Sequence, residues 1–154
     1  MENLLIRDAG DDDEAFLADL FFDVRSDELA IAGLPPEQLK SLVAMQYQSQ
    51  RRSYSSLFPN AEHSIIKLSG EKIGRLLVNR TEKHIHLIDI AILENFRGIG
   101  VGSFVLEKLQ TDADVVTLSV FKTNAAAIRL YEKHGFRVSK DAGMYAEMEW
   151  KNAE

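Results

Sequence analysis

The chain has 154 residues, 45% of them hydrophobic and 27% charged, with a net charge of −6. A single domain over residues 1–154 with a sizeable core is the expectation, and so acidic a chain is not built to hold a nucleic-acid backbone, although it can favour cationic small molecules or peptides. There are no cysteines, which excludes disulfides, thiolate catalysis and a zinc–cysteine site, and no metal is expected.

The opening stretch MENLLIRDAGDDDEAF lacks the basic start and apolar core of a signal peptide. No apolar run nears the roughly 18 residues of a membrane span. A soluble cytoplasmic protein without a membrane partner is therefore expected. LLIRDAG predicts a short strand ending in a turn. Asp11 to Ala32 is acidic at its start and carries Phe16, Leu17, Leu20 and Phe21 at helical spacing, which predicts a helix with a break near Ser26. Pro36 stands where a second helix begins, and Leu39, Leu42, Val43 and Met45 to Tyr47 form its expected buried face.

Beyond Pro59 the pattern changes to strands. HSIIKL, the turn SGEK, IGRLLVNR, the turn TEK and HIHLIDIAIL predict an antiparallel meander. Val101, Phe104, Val105 and Leu109 then recur at helical spacing, and DVVTLSV is a β-branched strand. TNAAAIRLYEKHGF predicts a helix capped by Thr123 or Asn124 and ended by Gly135. FRVSKDAGMYAEMEW predicts a final hairpin turning near Asp141 to Gly143. The order β-α-α-β-β-β-α-β-α-β-β describes an α/β chain with a mixed sheet flanked by helices.

Between the meander and the next helix lies ENFRGIGVGSFVLEKL, with glycines at 98, 100 and 102. A Walker loop needs Lys-Ser or Lys-Thr after its last glycine, and Gly102 is followed by Ser103 and Phe104. The dinucleotide fingerprint has a different spacing and opens the first βα unit, whereas this stretch follows a meander late in the chain. The pattern Arg97-x-x-Gly100-x-Gly102, between a strand and a helix, suits a pyrophosphate on the free amides of a helix N-terminus. The alternative is a tight strand-to-helix turn and nothing more.

IAILENFRGIGVGSFVLEKL resembles the acyl-CoA signature of the GNAT superfamily of N-acetyltransferases. LSVFKTNAAAIRLYEKHGF resembles its second signature, in which an Asn caps a helix carrying Leu-Tyr and ending Gly-Phe. The two cover Ile90 to Phe136, in the family's order and at its separation. The resemblance implies a mostly antiparallel GNAT-like sheet and acetyl-CoA as cosubstrate. It implies that Arg97, Gly98, Ile99, Gly100, Val101, Gly102 and Ser103 cradle the pyrophosphate. It also implies that the backbone of Ile90, Ala91 and Ile92, together with Asn124, holds the pantetheine arm and thioester.

The implied reaction is direct acyl transfer to an amine. An ammonium near pKa 10 must first lose a proton. Tyr131 matches the family tyrosine that protonates or hydrogen-bonds the departing sulfur, the alternative being a core aromatic on the face shared by Ala127, Leu130 and His134. Some relatives carry a basic Glu where this chain has Ser119, and serine is a poor base. Others place Glu or His eleven residues before the signature Arg, which here is His86. A neutral imidazole accepts a proton at physiological pH, and the alternative is an exposed strand histidine. Asp89 is the other candidate base, because it interrupts an apolar run and needs a partner or a role; water relays can replace both.

The acceptor site is expected from the first 60 residues, where Arg25, Gln46 and Gln50 can hold an acceptor's carboxylate or amide. Gln46 and Gln50 share a helix face; the plainer reading is a solvated face. The expected partner is a small-molecule amine, with a protein N-terminus or lysine as the rival acceptor and a homodimer left open. A non-catalytic acyl-CoA-binding module is the rival outside enzymology.

Overall fold

The computed structural model describes residues 1–30 and 33–153. Strand β1 (Leu4–Asp8) leads through a 3-10 turn at Asp11–Asp13 into α1 (Glu14–Ala30), followed by α2 (Pro36–Leu57). The meander is β2 (Glu62–Leu68), β3 (Glu71–Thr81) and β4 (His84–Ile92). After a 3-10 turn at Glu94–Phe96 come α3 (Val101–Asp112), β5 (Val115–Phe121), α4 (Ala125–Lys133), β6 (Arg137–Ala142) and β7 (Tyr145–Lys151). The predicted element order is observed throughout. The break expected near Ser26 is absent, since α1 runs through it to Ala30; the expected helix end at Ala32 lies outside the described residues. Among the described residues no helix is long and apolar enough to cross a membrane.

The seven strands form one sheet in the order β1-β2-β3-β4-β5-β7-β6. Every neighbouring pair is antiparallel except β4 and β5. Period-two alternation sends Ile65 and Ile66 to opposite faces. Ile65 joins Leu17, Phe21, Val43 and Tyr47 under α1 and α2. Ile66 joins the larger core, in which Val101, Val105, Leu106 and Leu109 of α3 meet Leu76, Leu87, Val116, Leu118 and Met148. The spacing of α2 correctly marks Val43 and Tyr47 as buried, but Met45 is 70% exposed. It lies two residues from each of them and so points away from their stripe.

Two local features shape the centre of the sheet. Gly74 on β3 lies so close to β4 that an added Cβ would stand 2.4 Å from the Ala91 carbonyl oxygen, a contact only glycine permits. The β3–β4 register then shifts: Leu77 opposes Asp89 and Val78 opposes Leu87, leaving Ile88 without an opposite residue. Such a bulge reverses which face the following side chains take.

Candidate active site

The parallel pairing of β4 with β5 covers only His84–Leu87 against Val115–Leu118. Beyond it the strands part, because β5 continues alongside β7 up to Phe121 while β4 follows β3 to Ile92. A wedge opens in mid-sheet. One compartment of it, about 530 Å³, is lined by His86, Asp89, Ser119, Asn124, Tyr131 and Tyr145 among others. A neighbouring compartment of about 410 Å³ has Ile90, Ala91, Ile92, Arg97 and Asn124 in its walls. Arg25, Gln50, Asp89, Ile90 and Asn124 line both. Residues far apart in the chain thus converge on a cleft whose β4 edge carries backbone groups that β5 does not use.

At the start of α3 the chain turns sharply, with Gly100 at φ +99 as the N-cap residue. A residue with a Cβ is strained there. The first amide bonded back to this cap is Phe104, whose N–H donates to the Gly100 carbonyl over 3.0 Å. The amides of Val101, Gly102 and Ser103 therefore precede the helical ladder and are available to an anion, with the helix dipole in support. A Cβ on Gly100 would meet no atom within 4 Å, while one on Gly102 would lie 3.1 Å from Leu130. Gly100 thus keeps the approach open, and Gly102 lets α3 pass close to α4. The Arg97 side chain is turned back: its Nε donates to the Ile92 carbonyl over 2.9 Å, and its guanidinium lies 3.4 Å from Asp23. Asp23 also accepts from the Glu94 amide, so Arg97 and Asp23 together hold the loop before the glycines.

Asn124 caps α4, its side-chain oxygen accepting from the Ala127 amide over 3.2 Å. The same residue lines both compartments, so capping and cleft roles coexist. Capping fixes the helix that carries Tyr131, which is only 9% exposed and packs against Phe136 with ring centroids 5.8 Å apart. Burial, with a smaller effect from the Asp89 charge, pushes the Tyr131 phenol up to about 12. It remains a proton donor across the whole neutral range.

His86 stacks on Phe58, the residue that follows α2, with ring centroids 5.6 Å apart. Its Nδ1 lies 2.8 Å from the Thr117 hydroxyl, which also lies 2.8 Å from Nε2 of exposed His84. With the Nδ1–H donating to Thr117, the His86 Nε2 keeps a free lone pair. Burial first, and the neighbouring His84 second, hold the His86 imidazole below its usual value, with Glu147 opposing. His86 is therefore neutral at pH 7 and able to take a proton.

Asp89 has the partner its position demanded. The Arg75 Nε and a terminal nitrogen both bond its Oδ2, at 2.9 and 2.6 Å. Arg75 also donates to Gln50 Oε1 over 2.9 Å, and its guanidinium lies 5.9 Å from the Tyr54 ring centroid. Sequence reasoning missed Arg75, which is 7% exposed. The available signal was its position as a lone cation inside the apolar run IGRLLV, one strand from the lone acid in HLIDIAIL. Of the expected acceptor residues, Gln50 is thus partly committed to Arg75. Gln46 shares a shallow recess with Arg25, Gln50 and Tyr145, and its buried Oε1 has no partner among the described residues. Arg25 reaches the cleft while lying 5.0 Å from the Phe21 ring centroid. The face of α2 that carries Gln46 and Gln50 therefore borders the cleft rather than open solvent alone. Among the described residues no cluster of His, Asp and Glu could hold a metal.

The model of the Acetyltransferase (GNAT) family matches residues 26–136. An uncharacterized N-acetyltransferase of Methanocaldococcus jannaschii is 26% identical over 60% of this chain and 62% of its own length. An N-alpha-acetyltransferase of Sulfolobus acidocaldarius is 38% identical over 49% of this chain and 56% of its own. The chain therefore spans less than two thirds of these curated relatives. In fold it is similar to the PaiA N-acetyltransferase of Thermoplasma acidophilum, solved in complex with coenzyme A. That structure is 18% identical, with a TM-score of 0.73 over 97% of this chain and 99% of the other.

Proposed function

The chain belongs to the GNAT acetyltransferase family, and from that premise we propose that it transfers an acetyl group from acetyl-CoA to a primary amine of a small molecule. The observation that carries the proposal is the wedge between β4 and β5. It places a neutral histidine, a protonated tyrosine and the unused edge of β4 around one space. The pyrophosphate rests on the amides of Val101, Gly102 and Ser103. The pantetheine arm runs along Ile90 to Ile92, where the Asn124 amide nitrogen can donate while its oxygen caps α4.

His86 takes one proton from the acceptor ammonium. The amine nitrogen then attacks the thioester carbon, forming the C–N bond, and the C–S bond breaks as the tetrahedral intermediate collapses. Tyr131 donates its proton to the departing sulfur and regains one from the acylated nitrogen. The products are the amide, the free thiol and one proton released through His86. Asp89 serves less well as the base, because two hydrogen bonds from Arg75 already occupy its Oδ2.

The test is thiol release from acetyl-CoA with a panel of primary amines, for wild type and His86→Gln. The acid limb of kcat/KM should have its midpoint below about 6.5, the ordinary histidine value, and the variant should lose that limb. A limb that survives in His86→Gln removes His86 from the mechanism. Coenzyme A binding without thiol release for any amine points instead to an acyl-CoA-binding module. A second reading, acetylation of protein N-termini, is favoured by the similarity to an N-alpha-acetyltransferase. Peptides with free N-termini in the same panel decide between them.

A further inference from the structure

The Arg75–Asp89 pair is lopsided. Both hydrogen bonds from Arg75 end on Asp89 Oδ2, and among the described residues no group donates to Oδ1. The side chain is 29% exposed, and Asp89 lines both compartments of the cleft. Its charge acts on the Tyr131 phenol from β4 and on the Tyr54 phenol of α2. The free oxygen therefore belongs to a carboxylate that shares its surroundings with the tyrosine assigned to the leaving sulfur.

The walls near this carboxylate are aromatic. Tyr54 contributes from α2 and Phe58 from just beyond its end, while Phe121 and Tyr145 contribute from β5 and β7. The last two stack with centroids 4.4 Å apart, yet remain 42% and 41% exposed. A carboxylate oxygen next to aromatic faces attracts a cation carried on an apolar body, because ring quadrupoles and the anion draw the charge while the rings bury the rest. The chain's net charge of −6 favours the approach of such a cation.

We infer that Asp89 Oδ1 is the anchor for the acceptor's ammonium group, and that the acceptor is a primary ammonium on a short aromatic or apolar arm. This rests on the acetyltransferase reading above and adds the substrate class to it. Arg75 offsets part of the carboxylate charge, so the anchor raises the bound amine's pKa less than a lone carboxylate would, and His86 can still remove the proton. The same chemistry occurs in a free arylalkylamine and in a peptide whose first residue is aromatic.

The experiment measures equilibrium binding to the protein–coenzyme A complex, so it needs no turnover. The probes are 2-phenylethylamine, its neutral counterpart 2-phenylethanol, and the dipeptide amide phenylalanylglycinamide. At neutral pH the wild type should bind at least one of the two ammonium probes about tenfold or more tighter than the alcohol. In Asp89→Asn that preference should collapse. An asparagine oxygen can still take both Arg75 bonds, because they converge on one atom, so coenzyme A affinity should persist. If Asp89→Asn fails to fold, the wild-type comparison of ammonium with alcohol still decides. Equal binding of amine and alcohol, or an undiminished preference in a folded Asp89→Asn, overturns the anchor. Which ammonium probe binds distinguishes the free amine from the peptide. An Asp89-dependent preference without thiol release would keep the anchor and reject the acetyltransferase reading.

Discussion

At the scale of single residues, the sharpest question is what the Tyr131 hydroxyl does. Its ring is core material, packed beside Phe136, and its edge reaches the cleft. Tyr131→Phe keeps the packing and removes only the donor. Turnover should fall roughly 10²-fold or more, within the range for general acid catalysis, while coenzyme A affinity and the melting temperature change little. Because burial holds the phenol near 12, its ionisation should produce no basic limb in the rate profile around neutral pH. A rate near wild type in Tyr131→Phe, measured where chemistry limits, would remove the general-acid role. Residue types singled out Tyr131 and His86 as candidates, and both line the cleft. The sequence could not say that His86 and Asp89, three positions apart, reach the same cleft, since alternation alone sends them to opposite faces. The bulge at Ile88 brings them together.

At the scale of elements, the N-terminus of α3 offers a test that separates binding from folding. Ser103 lies in the first turn. Ser103→Glu adds a negative charge where the helix dipole welcomes it, worth about 0.3–1 kcal/mol of stability, and where a pyrophosphate would be repelled. The melting temperature should hold or rise while coenzyme A affinity falls about tenfold or more, near 1.4 kcal/mol. Calorimetry and a thermal melt read the two effects, and unchanged affinity would count against the cradle. A second element depends on charge for its fold. Asp13 is 1% exposed and binds Arg7 at 2.9 and 3.0 Å, Lys72 at 2.7 Å and the Gly10 amide at 2.8 Å. The Arg7 hydrogen bonds above all, then Lys72 and Gly10, hold its carboxyl well below the usual carboxylate range. A folded-state pKa below the unfolded one stabilises above about pH 4 and is lost as pH falls further. Asp13→Asn should therefore lower the melting temperature markedly at pH 7, and the gap from wild type should close on acidification below about 4. A constant gap across that range would show that packing, not charge, is what Asp13 supplies.

For the whole molecule, the wedge leaves part of the β4 edge without a partner strand, and a ligand along it should couple to global stability. At coenzyme A concentrations about a hundredfold above Kd, mass action adds about 2.7 kcal/mol. In a chain of this size that corresponds to a rise in melting temperature of about 5–10 °C. Hydrogen exchange should show new protection at Ile90 and Ile92, whose backbone faces the open edge, whereas that of Ala91 faces β3. Absence of both effects would place the cofactor elsewhere.

By itself the sequence determined the element order and the two helix-bearing signatures of the family. Periodicity and capping are local: the spacing around Val43 and Tyr47, the cap at Asn124 and the glycines before Val101 each act within a few neighbours. The same locality explains where it fell short at Met45 and at the break expected near Ser26, which helix propagation bridges. Tertiary structure decided the rest. Arg75 and Asp89 each looked like an isolated charge in an apolar strand, and only the register of β3 on β4 made them a pair. The cleft itself follows from where β5 leaves β4, which depends on how β7 pairs with β5 some 25 residues further along the chain. Strand pairing is a contact between distant segments, and no window of neighbouring residues carries it.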